Sequence, residues 1–167
     1  GAVMDWAAVY LGQELGSDAF RAGLGFALFA GAMAMMRFSG DVVRNRFGAV
    51  KTLQISGLAG AAGLLIAALS SHDTLALAGF ALSGLGVANL APVMYSAAGN
   101  HPGLPAGTAI STVTMVGYAG ILVAPSTIGF VADHIGFRIT YAALALLLLL
   151  VATLAHRAAA ADRVKHP

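Results

Sequence analysis

Long apolar runs alternate with short polar connectors along this 167-residue chain. A helix needs about 20 predominantly apolar residues to cross the hydrocarbon core of a bilayer. The runs that meet or approach this length are Ala19 to Phe38, Thr52 to Ser70, Leu75 to Ala98, Thr108 to Ala132 and Ile139 to Ala155. The first run contains charges only near its ends, at Arg21 and Arg37. These runs predict membrane-spanning segments.

The composition favours lipid over water as the solvent. Hydrophobic residues make up 59% of the chain and charged residues 10%, whereas soluble domains carry about 25% charged residues. So few charges would leave large apolar patches on a water-facing surface. Backbone polar groups in lipid must be satisfied within each segment, which selects helices for runs of this length. The sequence therefore predicts an all-α membrane protein, a bundle of helices.

The start of the chain, "GAVMDWAAVYLG", is an apolar run of 12 residues, or roughly 18 Å of helix. It is too short to cross the bilayer. An interfacial helix would explain it, but we favour a helix whose first half is missing. The prediction is then five full transmembrane helices plus a truncated first one.

Basic residues predict the orientation, because cytoplasmic loops carry an excess of Lys and Arg. Residues 37–51, "RFSGDVVRNRFGAVK", concentrate five charges and are called the charged island below. If the island is cytoplasmic, seven of the nine basic residues lie on that side: Arg37, Arg44, Arg46, Lys51, Arg157, Arg163 and Lys165. Arg21 and Arg138 fall on the other side. The C-terminus is therefore expected to be cytoplasmic.

Several function classes find no support in the residues. No basic stripe with interleaved aromatics appears, which argues against nucleic-acid binding. The chain has no cysteine, so disulfides and thiolate metal sites are excluded. The histidines are not paired at i, i+4 and predict no metal site. No G-x-S-x-G elbow occurs. We expect neither an enzyme nor a bound cofactor.

Two spans carry more polar side chains than the others. Asn89 and Tyr95 lie in the run 75–98, where Pro92 also frees a backbone carbonyl near Ala88, and Tyr118 lies in the run 108–132. Transport sites often use such broken helices. The many Ser and Thr residues there are explained equally well by bonds to their own helix. We predict that Asn89, Tyr95 and Tyr118 line a substrate cavity.

Asp5 and Trp6 are further cavity candidates in the truncated first helix. Asp5 is the one acid within a predicted span, and a charge there requires a partner or water. Trp6 could stack on a sugar-like ring, although an aromatic anchor at the membrane interface explains it equally well.

Two connectors resemble each other and follow the second span of each group of three. The island contains "GDVVRNRFGAVK", and the later connector reads "GFVADHIGFR". Each has an Asp at the end of a span, a later Gly and a base beyond it, and the two lie on opposite predicted sides. The shared residues are Gly40, Asp41, Arg44, Arg46 and Gly48 in the first, and Gly129, Asp133, Gly136 and Arg138 in the second. This arrangement predicts a three-plus-three inverted repeat.

The chain here resembles the major facilitator superfamily, whose members repeat the loop pattern G-x-x-x-D-x-x-G-x-R/K. "GFVADHIGFR" has that spacing, whereas the island departs from it, since Asp41 directly follows Gly40 and Gly48 comes seven residues later. The start "GAVMDWAAVYL" is similar to the outer end of the seventh helix in a sugar-permease-like bacterial branch.

The resemblance implies that residues 1–167 are the C-terminal half of a twelve-helix secondary transporter. It implies alternating access for a small-molecule solute, the bacterial inner membrane as location, and a missing N-terminal six-helix half as partner. In the family the first, second, fourth and fifth helices of each half line the cavity, and loops of this kind help to hold one access state. For the island, a topology signal alone is an equally good explanation.

Two other interpretations stay open. A self-contained small multi-span membrane protein that binds or scaffolds a partner would show the same hydropathy. An intramembrane enzyme is conceivable but has no positive sign in the residues. An upstream reading frame encoding six more spans would distinguish the transporter from the small scaffold protein.

Overall fold

A computed structural model describes residues 1–162, and the regular elements of this range are all helical. The helices are α1 (Ala2–Leu15), α2 (Ala19–Leu69), α3 (Asp73–Val87), α4 (Leu90–Gly99), α5 (Ala106–Ile135) and α6 (Phe137–Thr153), followed by a 3₁₀ helix (Ala155–Asp162). The predicted all-α class is confirmed. The predicted inner-side residues Arg163 and Lys165 lie outside the described range.

Within the described residues, three helical stretches are long and apolar enough to cross a membrane: Ala19–Leu69, Asp73–Gly99 and Ala106–Ile135. The apolar helix α6 is shorter than such a stretch. Membrane spans are therefore supported, while the predicted count of five plus one depends on dividing α2 and including α6.

Helix α2 folds back on itself at Gly48, whose φ of 78° and ψ of 166° are not helical. The backbone of Phe29 lies against Gly84, and that of Gly60 lies against Gly86. A straight helix would separate Phe29 from Gly60 by roughly 46 Å, yet their partners in α3 are two residues apart. The two segments, α2a (residues 19–47) and α2b (residues 49–69), therefore both pack beside α3.

The charged island is helical, although the sequence predicts a connector between two spans there. Helical structure continues through Asn45 to Phe47, and only Gly48 leaves it. Arginine is a good helix former, and this stretch contains no proline. The positive φ that reverses the chain is one that glycine adopts without steric cost.

The predicted run 75–98 is divided in the structure. α3 ends at Val87 and α4 begins at Leu90, with Ala88 and Asn89 between them. Proline at position 92 cannot donate a hydrogen bond to the carbonyl four residues earlier, that of Ala88. The break lies where the sequence predicted the free carbonyl.

Glycines allow α2b and α3 to approach to backbone contact. A Cβ at Gly79 would lie 2.6 Å from the carbonyl oxygen of Gly63, and one at Gly86 would overlap the backbone nitrogen of Gly60. Small residues permit such packing between membrane helices. Tyr10 of α1 fills the adjoining core, where its hydroxyl donates to the carbonyl of Ala67 at 2.5 Å.

Candidate functional site

Ionic and polar contacts tie the loops together at one end of the bundle. Arg21 at the start of α2 donates to Asp73 at the start of α3, with Nε 2.5 Å from Oδ2 and Nη2 2.9 Å from Oδ1. Ser17 donates to the same carboxylate at 3.1 Å. A two-pronged arginine–carboxylate contact fixes orientation as well as distance. This end carries Arg21 and Arg138, the two basic residues that the sequence predicts on the outer side of the membrane.

Arg138 completes this end by closing the C-terminus of α2. Its guanidinium donates to the carbonyls of Ala68 at 3.0 Å and Ser70 at 2.6 Å, and its Nε lies 3.9 Å from Glu14. The last carbonyls of a helix have no intrahelical partner and carry partial negative charge. Arg138 therefore joins the start of α6 to the ends of α1 and α2.

The opposite end contains a cleft of about 190 Å³ between α2a and the α3–α4 break. Arg37, Gly40, Asp41 and Arg44 form one wall, and their i, i+3, i+4, i+7 spacing places them on one helix face. The other wall is formed by Asn89, Pro92 and Val93. Four residues of the charged island thus face the broken helix.

Gly40 and Asn89 fit together at the floor of this cleft. Asn89 is only 5% exposed, and a Cβ at position 40 would lie 2.5 Å from its Oδ1. Gly40 therefore provides the space that the Asn89 side chain occupies. Nearby, Arg44 donates a hydrogen bond to the hydroxyl of Ser96 in α4. These two contacts join α2a to the break and to α4.

Trp6 occupies a three-helix contact away from the cleft. Its Nε1 donates to the carbonyl of Pro125 in α5 at 3.1 Å, and its ring lies 5.8 Å from that of Phe137. A Cβ at Gly129 would lie 2.6 Å from the indole, so the glycine makes room for the ring. The structure gives Trp6 a packing role between α1, α5 and α6.

The cavity candidates are not gathered in one place. Asn89 lines the cleft, and neither Asp5, Trp6, Tyr95 nor Tyr118 does. Asp5 is exposed, Tyr95 is 39% exposed and Tyr118 is 64% exposed. Their assignment to a substrate cavity stays a prediction.

The residues shared by the two similar connectors agree in backbone angles at one glycine, but their charged side chains lie in different surroundings. Gly136 has a φ of 86° and a ψ of 155°, close to the angles of Gly48. Asp133 is exposed, and Arg46 lies with its guanidinium 5.8 Å from the centre of the Phe47 ring.

Sequence reasoning missed the contact between Arg21 and Asp73. The available signal was topological, since both residues begin apolar runs and both fall on the predicted outer side. Pro92 is predicted from the sequence to free a backbone carbonyl, and Ser96 is one of the polar residues of the run 75–98, yet only the folded chain brings them to the charged island. No cluster of His, Asp and Glu among the described residues is arranged to hold a metal ion.

The cleft combines two guanidinium groups, one carboxylate and one amide around a small volume. Arginine binds carboxylate and phosphate groups with paired hydrogen bonds. The arrangement is suited to contact an anionic group.

Apolar helices long enough to cross a bilayer, joined by short polar connectors, together define a polytopic membrane protein. Residues 3–166 match the Major Facilitator Superfamily. The chain belongs to this family.

Three bacterial proteins are similar in sequence to this chain. An uncharacterized MFS-type transporter of Yersinia pestis is 40% identical over 152 residues, which cover 91% of this chain and 40% of the relative. An uncharacterized transporter of Sinorhizobium fredii is 36% identical, covering 93% of this chain and 41% of the relative. Membrane protein MosC of Rhizobium meliloti is 35% identical over 81% and 33% of the two chains. No solved structure matches the chain.

The chain thus spans about two fifths of the first two relatives and one third of the other. The family is one of transporters rather than enzymes, and the helices are those of an integral membrane protein.

Proposed function

We propose that the chain is the C-terminal six-helix half of a twelve-helix secondary transporter that moves a small solute by alternating access. The observation that carries this proposal is the uncovered face of α5. α5 is as apolar as the other candidate spans, but only 11% of its most apolar stretch is buried. Its fully buried residues are Ala109 near one end and Ile128, Gly129 and Ala132 near the other.

The uncovered face includes polar groups that suit water or protein better than lipid. Thr112 and Thr114 bond back to carbonyls of their own helix at 2.8 Å, so they are satisfied in any surroundings. The hydroxyl of Tyr118 has no such partner within residues 1–162, and its side chain is 64% exposed. Polar side chains in membrane helices usually face a neighbouring helix or a water-filled cavity. A second half of the transporter would provide both.

The length of the relatives supports a second half. Each is more than twice as long as the segment it shares with this chain. Six further spans would fit that additional length, and the wall of a central cavity would then be shared between two bundles.

The backbone supports division into two inverted triplets, with α2a and α2b counted as separate spans. Gly48 follows the second span of the first triplet, and Gly136 follows the second span of the other. Their φ values are 78° and 86°, and their ψ values are 166° and 155°. Matching reversals at opposite ends of the bundle are expected for an inverted-topology repeat. α1 then corresponds to the retained end of the first span.

The basic residues support an inner-membrane location with the island and the C-terminal tail in the cytoplasm. The island and the 3₁₀ helix both pack near α4, whereas Arg21 and Arg138 lie at the other end. Single cysteines at Asn45 and Ser71, in this cysteine-free chain, should react with impermeant reagents from opposite sides. Labelling of both from outside the cell would disprove the topology.

The transport proposal is tested with the full-length protein reconstituted into vesicles. It should show saturable counterflow of its solute, found by screening a substrate library, whereas residues 1–167 alone should show none. Saturable counterflow by the short chain as a monomer would contradict the proposal. An open reading frame without additional spans would instead favour a small membrane protein that binds a partner.

A further inference from the structure

A second cavity lies at the same end of the molecule as the charged island. It encloses about 400 Å³ between α2b, α4, α6 and the 3₁₀ helix. Leu53, Leu90 and Val151 belong to its apolar lining, and Arg157 is the one charged lining residue among residues 1–162. It is separate from the cleft around Asn89, with which it shares no lining residue.

The cavity is suited to an apolar occupant. Its volume is about thirteen times the ~30 Å³ that one water molecule occupies in the liquid. Water needs two to four polar partners to be held in a cavity, and apolar cavities stay dry. Apart from Arg157, the lining residues in the described part of the chain have apolar side chains. An empty cavity would forfeit the dispersion contacts of its walls, so a hydrocarbon chain is a favourable filling.

The cavity opens towards the surfaces that this chain offers to lipid. Met94 and Leu154 in its lining are each 44% exposed, so it reaches the outside of the bundle. Elsewhere on the helices that line it, Leu150 of α6 is 52% exposed and Ile55 of α2b is 51% exposed. Leucine-rich faces of this kind suit the hydrocarbon core. A lipid can therefore enter from the side.

The positive charge of Arg157 at the edge of this cavity favours a lipid with an anionic headgroup. Arg157 is exposed and is carried by the 3₁₀ helix, whose Ala155 and Ala158 are buried beside Leu53 and Val93. This anchors the arginine at the border between apolar and polar surroundings. Basic pockets between membrane helices at the cytoplasmic side are recognised by acidic lipid headgroups.

We propose that this cavity binds one anionic phospholipid, with part of an acyl chain between α2b, α4 and α6 and the headgroup phosphate at Arg157. A free phosphate ion would bind Arg157 but would leave the apolar part of the cavity empty. A phospholipid would fill both parts and is therefore favoured. The site does not depend on transport, so its failure would leave the proposed function untouched.

The test uses delipidated full-length protein and native mass spectrometry, with phosphatidylglycerol or phosphatidylcholine added in equal amounts. Phosphatidylglycerol should bind more tightly, and R157Q should weaken its binding about fivefold, the contribution expected of one basic residue at an anionic membrane surface. R46Q is the matched control, because Arg46 is an exposed arginine at the same end that does not line the cavity. It should leave binding nearly unchanged.

A cavity-filling variant tests the acyl chain separately from the headgroup. Ala97 lines the cavity, and A97F should reduce the binding of both lipids while the protein keeps its elution profile in detergent. If A97F fails to fold, the smaller A97L serves in its place. Unchanged phosphatidylglycerol binding in a folded filling variant would overturn the proposal.

Two further outcomes would also overturn it. Equal losses in R157Q and R46Q would mean diffuse attraction to the basic end rather than a site. Complete displacement of the lipid by millimolar inorganic phosphate would assign Arg157 to a free anion. Retention of the lipid under phosphate, with loss only in R157Q, would support the lipid site.

Discussion

The α3–α4 stretch and α5 are about equally apolar, yet they are covered very differently. Half of the most apolar window of residues 73–99 is buried, compared with 11% for residues 106–135. Both stretches contain glycines. Those of α3 touch backbone, as Gly79 does with Gly63, whereas a Cβ added at Gly117 or Gly120 of α5 would meet no atom within 4 Å. Hydropathy therefore identifies a membrane helix but does not say which neighbour covers it.

The two stretches also respond differently to proline. α3 and α4 are separated at Ala88 and Asn89, four and three residues before Pro92, whereas α5 continues through Pro125. A proline removes one intrahelical hydrogen bond in each case. In the first, Asn89 gains a fitted position against Gly40. In the second, Trp6 donates to the Pro125 carbonyl without disturbing the helix. Proline therefore accompanies a divided helix in one stretch and a continuous helix in the other.

The largest expected effect comes from filling the glycine contact of α3. G86V would drive a side chain into the backbone of Gly60, and we expect it to lower the free energy of unfolding by about 3 kcal/mol or more. Two measurements check this for residues 1–167: their abundance in the membrane, and their thermal midpoint after extraction into detergent.

G117V is the matched control in α5, where the added side chain meets open space. It should leave the abundance of the same chain nearly unchanged. If both substitutions destabilise the chain equally, α5 is packed within residues 1–167 as closely as α3. The proposed difference between the two helices would then be wrong.

The next effect concerns two predicted cavity residues, Asn89 at the break and Asp5 in α1. In the full-length protein, N89A and D5N should each cut uptake at least tenfold, roughly 1.4 kcal/mol in transition-state terms, at normal membrane abundance. G40A should impair uptake in the same direction, because its methyl group would displace Asn89. L147A alters a side chain that is 58% exposed on α6 and should leave uptake nearly unchanged. If the polar variants keep normal uptake while L147A abolishes it, the assignment of these residues to the cavity wall is wrong.

A smaller, rate-based contrast tests the uncovered face of α5. A cysteine replacing Tyr118 should react with a water-soluble maleimide several-fold faster than one replacing Ser83, since Tyr118 is exposed and Ser83 is 0% exposed. Solute binding should slow the reaction at position 118 if that residue faces the transport cavity. Equal rates at the two positions would mean that the α5 face is sealed.

The smallest expected effect is at the contact that ties α5 to α1. W6F removes the 3.1 Å hydrogen bond to Pro125 while keeping a ring against Phe137. The loss should be about 1 kcal/mol of unfolding free energy, read from the thermal midpoint in detergent. A midpoint equal to that of the unchanged protein would mean that the bond does not contribute.

The sequence by itself determined the helical class, the membrane as solvent and the positions of most connectors. Apolar runs near the length of a bilayer and a low charge content leave few alternatives. The break near Ala88 and the family resemblance could also be predicted, because each depends on local residue types and spacing. The helical island and its reversal at Gly48 were not predicted.

Only the tertiary structure decided which residues meet. The cleft joins Gly40 to Asn89, which are 49 positions apart in the chain, and Arg138 reaches carbonyls of α2 about 70 positions away. Helical periodicity defines the faces of one helix, but it carries no information about the partner of each face. In an apolar bundle that partner is chosen by close packing, because hydrophobicity is the same on every side.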